Sequence, residues 1–129
     1  MLRITESISL ALHAMVLLVN SQSPVTTKEM ASQMGVSEAH LSKVLQTLVR
    51  TGFLRSIRGP AGGFVLARKP DEITLLSIWE AVGGPFRVRT CLLEKPICGG
   101  RCIFGGLLEQ TGAQVKRYFA STTLAAFRR

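Results

Sequence analysis

The sequence predicts a mainly α-helical fold with a small β-hairpin wing, namely a winged helix-turn-helix followed by a C-terminal dimerisation helix. Two helical patterns are joined by a tight turn at Gly35, which is the arrangement of a helix-turn-helix. Two strand-like runs then flank residues 59–62, whose glycines and proline predict the tip of a hairpin. A late amphipathic segment, residues 102–120, is the predicted dimerisation helix.

The first three helices are predicted from apolar spacing and from residues that start or end helices. Within residues 5–20, apolar side chains recur at helical spacing along one face. Thr26 and Glu29 have the spacing of a capping box, in which each side chain satisfies a backbone donor at the start of the second helix. Ser37 can cap the third helix, and Gly52 follows its end.

The third helix and the hairpin share a basic stretch. Residues 39–70 contain no acidic side chain, and their basic residues are Lys43, Arg50, Arg55, Arg58, Arg68 and Lys69. A local concentration of one sign of charge attracts polyanions. Because a basic hairpin directly follows the third helix, we expect this helix to enter the major groove of double-stranded operator DNA. The wing tip would then reach the phosphates or the minor groove.

The candidate DNA contacts lie at the start of the third helix and along the wing. Small polar side chains at the helix start can meet base edges, although they do not reveal which sequence is read. Arg50 and Arg55 are typical of phosphate contacts, which position a protein without specifying the sequence. The full predicted set is Ser37, Ala39, His40, Ser42, Lys43, Arg50, Arg55, Arg58 and Gly59.

Two more helices follow the wing. Thr74 is the predicted cap of a fourth helix, in which Trp79 is a core residue and which ends at residues 83–85. The dimerisation helix has an apolar side that a small domain leaves without a partner, and the tail after it could form one short turn. Two-fold pairing would bury that side and would match operator half-sites, so the sequence predicts a homodimer.

Composition and motifs exclude several classes of protein. The 129 residues are 47% apolar and 19% charged, with a net charge of +8, which suits a folded basic domain. The longest apolar run, residues 10–19, is too short to span a bilayer, and no export signal is recognised, so we expect a cytoplasmic protein without a membrane partner. No phosphate loop, nucleophile elbow or paired carboxylates are present, which argues against an enzyme.

All three cysteines of the chain, Cys91, Cys98 and Cys102, lie between the fourth helix and the last one. Structural disulfides are uncommon in the cytoplasm, where clustered cysteines more often indicate metal or redox chemistry. Thiolates are soft donors that suit iron–sulfur clusters and zinc equally well. The residues alone therefore leave a metal site and a redox pair open.

Residues 56–68, "SIRGPAGGFVLAR", and residues 72–85, "EITLLSIWEAVGGP", lead into this cysteine segment and then into a long helix. In this order they resemble the Rrf-type family of bacterial winged-helix iron–sulfur transcription regulators, which are IscR- or NsrR-like. The resemblance covers practically the whole chain. It implies a dimeric repressor or activator divided into a DNA-binding domain at residues 1–85, a sensor loop at 86–103, and a dimerisation helix and tail at 104–129.

The resemblance also implies an iron–sulfur cluster, of 2Fe–2S or 4Fe–4S type, held by Cys91, Cys98 and Cys102. In the family, the state of the cluster changes the affinity for DNA in response to redox state, nitric oxide or iron. The cysteine spacing here, C-x6-C-x3-C, has a shorter second gap than is usual for the family. Gly99 and Gly100 in that gap would permit a tight reversal of the chain.

A fourth ligand is implied from the first helix of the partner subunit, where relatives carry Asp, or Glu and His. Alignment with those relatives makes His13 the first candidate, because an imidazole nitrogen binds iron well. Ser9 and Glu6 are weaker candidates on the same helix. A thiol–disulfide switch between Cys98 and Cys102, a structural zinc site, or the absence of any cofactor remain alternatives that keep the DNA-binding function.

Overall fold

The computed structural model describes residues 3–129, so residues 1 and 2 of the predicted DNA-binding domain lie outside the described residues. Five α-helices and one two-stranded antiparallel sheet form the described chain, which confirms the predicted fold class. Two 3₁₀ turns complete it, at Pro70–Glu72 and Leu124–Phe127. The elements are α1 (Glu6–Val19), α2 (Thr27–Met34), α3 (Glu38–Arg50), β1 (Leu54–Ile57), β2 (Gly63–Leu66), α4 (Leu75–Gly83) and α5 (Leu107–Ser121).

Hydroxyl side chains cap the first four helices, as the sequence predicts for α2, α3 and α4. Thr26 Oγ1 accepts the backbone N–H of Glu29 at 3.1 Å, and Ser37 Oγ accepts that of His40 at 3.3 Å. Thr5 and Thr74 cap α1 and α4 in the same way. Each cap satisfies a donor that would otherwise lack a partner at the helix start.

The last helix begins later than the sequence predicts, at Leu107 rather than at Cys102. Gly105 and Gly106 adopt φ values of +55° and +86°, which a right-handed helix does not allow. These two residues end the cysteine segment in turns and separate it from α5. The cysteine segment, residues 85–106, therefore contains no helix or strand.

The wing is a two-stranded hairpin fastened to the start of the helix-turn-helix. Its register pairs Leu54 with Leu66, and its tip is closed by a bond from the Gly62 N–H to the Gly59 carbonyl at 2.9 Å. Phe64 also pairs with Val25, just before α2. The pairing requires glycine at position 63, since a Cβ there would lie 2.5 Å from the Val25 carbonyl carbon.

The main core lies between α1, α2, α3, α4 and the wing, and the tail closes it. Leu124 in the tail is fully buried, and its N–H donates to the Ile73 carbonyl at 2.8 Å. The short turn predicted in the tail is confirmed at Leu124–Phe127. The largest fully buried side chains are Met15, Met30, Leu41, Leu45, Leu48, Ile73, Ile78 and Leu124. The predicted division of the chain into three units stays a prediction.

A second, smaller apolar cluster joins α5 and the start of the cysteine segment to α4. Trp79 is the centre of the cluster and is a buried core residue, as the sequence predicts. Its ring lies 4.9 Å from the ring of Phe86 and 5.3 Å from that of Phe119, measured between centroids. No helix within residues 3–129 is both long and apolar enough to cross a bilayer.

Candidate nucleic-acid interface and cysteine segment

The first turns of α3 carry the predicted base-reading residues on the side that faces away from the core. Leu41, Val44, Leu45 and Leu48 bury one face of α3 against the other helices. Around that face, Ser37, Ala39 and Lys43 are exposed, and His40 and Ser42 are half-buried. The buried face fixes the orientation of α3 about its own axis. These side chains therefore lie together on one surface.

His40 is held by the start of α1, which the sequence does not predict. Its Nδ1 lies 3.3 Å from Oε1 of Glu6, and its Nε2 lies 3.2 Å from Oγ of Ser7. The imidazole of His40 thus has two protein partners. Glu6, a weaker candidate for the fourth cluster ligand, is occupied by this contact.

The basic side chains of α3 and the wing are available for phosphate. Arg55 and Arg58 are exposed on the hairpin beside Gly59, and Arg50 donates a hydrogen bond to Thr47 Oγ1 at 3.1 Å. Within residues 3–129, the only basic side chain within salt-bridge distance of a carboxylate is His40, which contacts Glu6. No nearby carboxylate therefore neutralises these arginines.

Arg68 has a structural role that the sequence analysis missed. Its guanidinium donates to the carbonyls of Gly52 at 3.1 Å and Thr51 at 3.0 Å, just after α3. It also lies 4.3 Å from the centre of the Phe53 ring. These contacts tie the end of the wing to the end of α3. The sequence carries one signal of this role. Arg68 ends the hairpin, and the end of α3 has backbone carbonyls without helical partners, which a basic side chain can bind.

The three cysteines are free thiols and are half-buried in the cysteine segment. Backbone N–H groups are directed at two of the sulfurs: that of Leu93 lies 3.4 Å from Cys91 Sγ, and that of Phe104 lies 3.4 Å from Cys102 Sγ. Such donors stabilise negative charge on sulfur. Between Cys98 and Cys102, Gly99 and Gly100 both have positive φ values, so the second gap turns tightly as expected.

The donor set suits an iron–sulfur cluster in its chemistry, since it consists of three soft thiols with backbone donors to sulfur. The conformation does not assemble them. Within residues 3–129, no three Cys, His, Asp or Glu side chains are grouped closely enough to hold a metal ion. The thiols would therefore have to be drawn together by rearrangement of the cysteine segment.

The cysteine segment is anchored where it leaves α4. The N–H of Phe86 donates to Glu80 Oε2 at 2.8 Å, and Phe86 packs into the cluster around Trp79. Val88 packs against α5 where Gly112 leaves room for it, because a Cβ at Gly112 would lie 3.0 Å from Val88 Cγ1. The segment is thus fixed at its start, beside α5, and is free of regular structure across the cysteines.

His13 is exposed on α1, and one of its nitrogens is available. Its Nδ1 lies 2.7 Å from the Ser9 carbonyl oxygen, which can only accept, so Nδ1 carries the proton. In the neutral form, this tautomer leaves Nε2 unprotonated, as a metal ligand requires. His13 also lines a groove of about 500 Å³ with Ser9, Met34 and Arg129. No cysteine of this chain lines that groove.

The outer side of α5 exposes two large apolar side chains, one near each end of the helix. Leu107 and Tyr118 are 57% and 54% exposed, and no residue of α5 is fully buried. Eleven residues separate the two along the helix, so at 100° per residue they lie on nearly the same face. Val115 and Phe119 occupy the other side and pack against the cluster around Trp79.

A protein-family model described as "Iron-dependent Transcriptional regulator" matches residues 4–128. The chain belongs to the Rrf2 family. The match covers nearly the whole chain and confirms the resemblance recognised in the sequence. The protein is thus a DNA-binding transcriptional regulator and not an enzyme.

Individual Rrf2 relatives agree with this assignment. The solved structure of CymR, the global cysteine regulator of B. subtilis, is 31% identical with a TM-score of 0.80, and the similarity covers 97% of this chain and 95% of that chain. The structure of T. potens IscR is 25% identical with a TM-score of 0.72, over 96% and 84% of the two chains. The transcriptional regulator IscR of Aliivibrio salmonicida is 27% identical over 94% of this chain and 69% of the relative.

Proposed function

We propose that this Rrf2-family protein is a homodimeric regulator whose affinity for operator DNA is switched by an iron–sulfur cluster on Cys91, Cys98 and Cys102. The observation that carries the proposal is the cysteine segment itself. It gathers every thiol of the chain within one irregular stretch, with backbone N–H donors directed at two sulfurs. The similarity to proteins named IscR supports the same proposal.

The DNA-binding half of the proposal uses α3 and the wing. The residues at the start of α3 read base edges in the major groove, and Arg55 and Arg58 on the wing bind phosphates or enter the minor groove. His40 contributes from a position fixed by Glu6 and Ser7. Arg68 keeps the wing at a constant angle to α3, so the helix and the hairpin approach the duplex as one unit.

A homodimer formed through α5 brings a second α3 helix to the second half-site of the operator. Leu107 and Tyr118 are exposed apolar side chains on the outer face of α5, and an equivalent helix from a second copy would cover them. The other side of α5 packs beside Val88, close to the cysteine segment. A rearrangement among the cysteines would therefore act on a helix at the dimer interface.

The chain supplies the ligands and the environment of the cluster. Cys91, Cys98 and Cys102 would bind it, and His13 Nε2 of the partner subunit is the proposed fourth ligand. The N–H groups of Leu93 and Phe104 would donate to sulfur. When bound, an iron–sulfur cluster supplies a redox centre whose potential depends on net charge, hydrogen bonds to sulfur and solvent exposure.

Coupling between the cysteine segment and the DNA-binding surface needs only a modest difference in free energy. Drawing the three thiols together would bend the segment between Phe86 and α5, and α5 would transmit the change to the spacing of the two α3 helices. A coupling free energy of about 1–3 kcal/mol changes affinity by roughly 5–150-fold, which is enough for a regulatory switch.

A thiol switch is the second candidate, because all three thiols are free and no metal-binding group is assembled within residues 3–129. In this version Cys98 and Cys102 form a disulfide across the tight turn at Gly99 and Gly100. The two thiols lose two protons and give two electrons to an external oxidant. No metal is then required.

An anaerobic absorption spectrum with iron and sulfide counts separates these possibilities. The protein is reconstituted with iron and sulfide, desalted, and compared with a Cys98→Ala variant prepared in parallel. The cluster proposal predicts a coloured wild type with bound iron and sulfide and a colourless variant. A colourless wild type that binds no iron contradicts the proposal. Loss of two free thiols on mild oxidation of that wild type would then favour the disulfide.

A further inference from the structure

Three arginines that the DNA-binding prediction did not include line a single groove. Arg3, Arg87 and Arg89 surround a cavity of about 390 Å³ between the start of α1 and the end of α4. Its floor is apolar and includes Ile8, Trp79 and Phe86. The groove is outside both the helix-turn-helix and the wing.

Two of the arginines are directed outward by the alternation of residues 86–89. Phe86 is buried and Val88 is half-buried against the cluster around Trp79, whereas Arg87 and Arg89 are exposed. An extended chain sends successive side chains to opposite sides. Because the apolar pair is anchored, the two guanidinium groups are presented together on the other side.

The positive charge of the groove is not neutralised within the described chain. None of the three arginines forms an ion pair with a carboxylate in residues 3–129. Glu80 accepts the N–H of Phe86, and Glu6 contacts His40. The groove is therefore suited to an external anion.

The groove adjoins the proposed DNA surface through α1. Arg3 and Thr5 line the groove at the start of α1, and the next two residues, Glu6 and Ser7, contact His40 on α3. The groove therefore lies near the start of α3, with Glu6 and Ser7 between Arg3 and His40.

We propose that Arg3, Arg87 and Arg89 bind backbone phosphates of the operator beside the bases read by α3, as a third contact region besides α3 and the wing. This proposal rests on the DNA-binding function. It gives the cysteine segment a direct route to DNA, because Arg89 is two residues before Cys91. Movement of the cysteines would shift Arg89, which follows the anchored Val88, as well as α5.

The test measures DNA affinity of the full-length protein as a function of salt for an Arg87→Ala/Arg89→Ala double variant and for Arg3→Ala. Loss of a phosphate contact lowers the slope of log K against log salt by about 0.9 for each contact. We expect the double variant to weaken binding to operator and to non-operator DNA by a similar factor, at least about tenfold at low salt, with a shallower slope. An Arg87→Lys/Arg89→Lys variant should retain the slope.

Two controls make the result specific. Lys95→Ala/Lys116→Ala removes the same charge from exposed positions outside the groove, and it should alter affinity much less. Arg58→Ala tests the wing in parallel. Sedimentation and thermal melts establish that each variant keeps its oligomeric state and fold.

The outcomes are distinguishable. Weak binding by Arg58→Ala with unchanged binding by the groove variants overturns this inference and leaves the proposed function standing. Unchanged binding by Arg58→Ala and by the groove variants contradicts the proposed DNA surface as a whole. Equal losses in the lysine and alanine groove variants would show that charge is not responsible, and would also overturn the inference.

Discussion

Arg68 joins the end of β2 to the end of α3 through two hydrogen bonds and a contact with the Phe53 ring. We expect Arg68→Ala to lower the free energy of unfolding by about 1–2 kcal/mol, because two carbonyls lose a charged donor and the ring loses a cation. Chemical denaturation measures the loss. Arg55→Ala is the matched control, since Arg55 is exposed and makes none of these contacts, and it should change stability by less than about 0.5 kcal/mol. Equal stability losses in the two variants would contradict the structural role of Arg68.

Arg58 is proposed to contact DNA, and within residues 3–129 it has no contact that would make it part of the scaffold. It is exposed near the wing tip and makes no ion pair in the described chain. We expect Arg58→Ala to melt like the wild type but to bind operator less tightly, with a smaller dependence on salt, because a phosphate or minor-groove contact is lost. Fluorescence anisotropy over a salt series measures both quantities. If Arg58→Ala binds operator with the affinity and salt dependence of the wild type, the wing is not part of the interface.

The wing keeps its position because β2 runs directly against the chain before α2. Gly63 has a φ of +145°, and a Cβ there would lie 2.5 Å from the Val25 carbonyl carbon. We expect Gly63→Ala to lower the free energy of unfolding by about 2–4 kcal/mol through backbone strain and overpacking. Gly59→Ala is the control, since Gly59 also has positive φ but a Cβ there meets no atom within 4 Å. Because only a Cβ at position 63 clashes, Gly63→Ala should lose more stability than Gly59→Ala. Equal losses of stability would contradict the clash.

The elements that the sequence predicted well are those set by local signals. Threonine and serine caps mark the starts of α2, α3 and α4, and Gly35 ends α2 in the left-handed conformation. The start of α5 was placed too early because apolar spacing continues through Phe104, while the positive φ values of Gly105 and Gly106 interrupt the helix. Residue pairs distant in sequence could not be predicted, since they depend on tertiary packing. Examples are the contact of His40 with Glu6 and the tether from Arg68 to Thr51.

At the scale of the molecule, the outer face of α5 presents Leu107 and Tyr118, two large apolar side chains that the described chain leaves exposed. If a second copy covers this face, Leu107→Glu should weaken self-association at least about tenfold, because a charge would be buried without a partner. Sedimentation velocity over a concentration series measures this. Ala120→Glu adds the same charge at an exposed position on the opposite side of α5 and should leave association intact. A Leu107→Glu protein that associates like the wild type would place the dimer interface elsewhere.

The basic surface, the cysteine segment and α5 are connected by short stretches of chain. Arg89 leads to Cys91, and the segment ends at Gly106, where α5 begins. In the proposed function, a change among the cysteines would have two short routes to DNA, one through Arg89 and one through the proposed dimer helix. Both routes predict that the state of the cysteines alters DNA affinity rather than protein stability alone.

The most direct test of this central claim is a comparison of operator affinity between cluster-loaded and cluster-free preparations of the same protein, made anaerobically at one salt concentration. The account predicts that the two Kd values differ by roughly 5–150-fold, the range expected for a coupling free energy of about 1–3 kcal/mol. It also predicts that Cys98→Ala binds like the cluster-free protein whether or not it is exposed to iron and sulfide. Equal Kd values for loaded and cluster-free wild type would contradict the claim that the cysteine segment is the sensor.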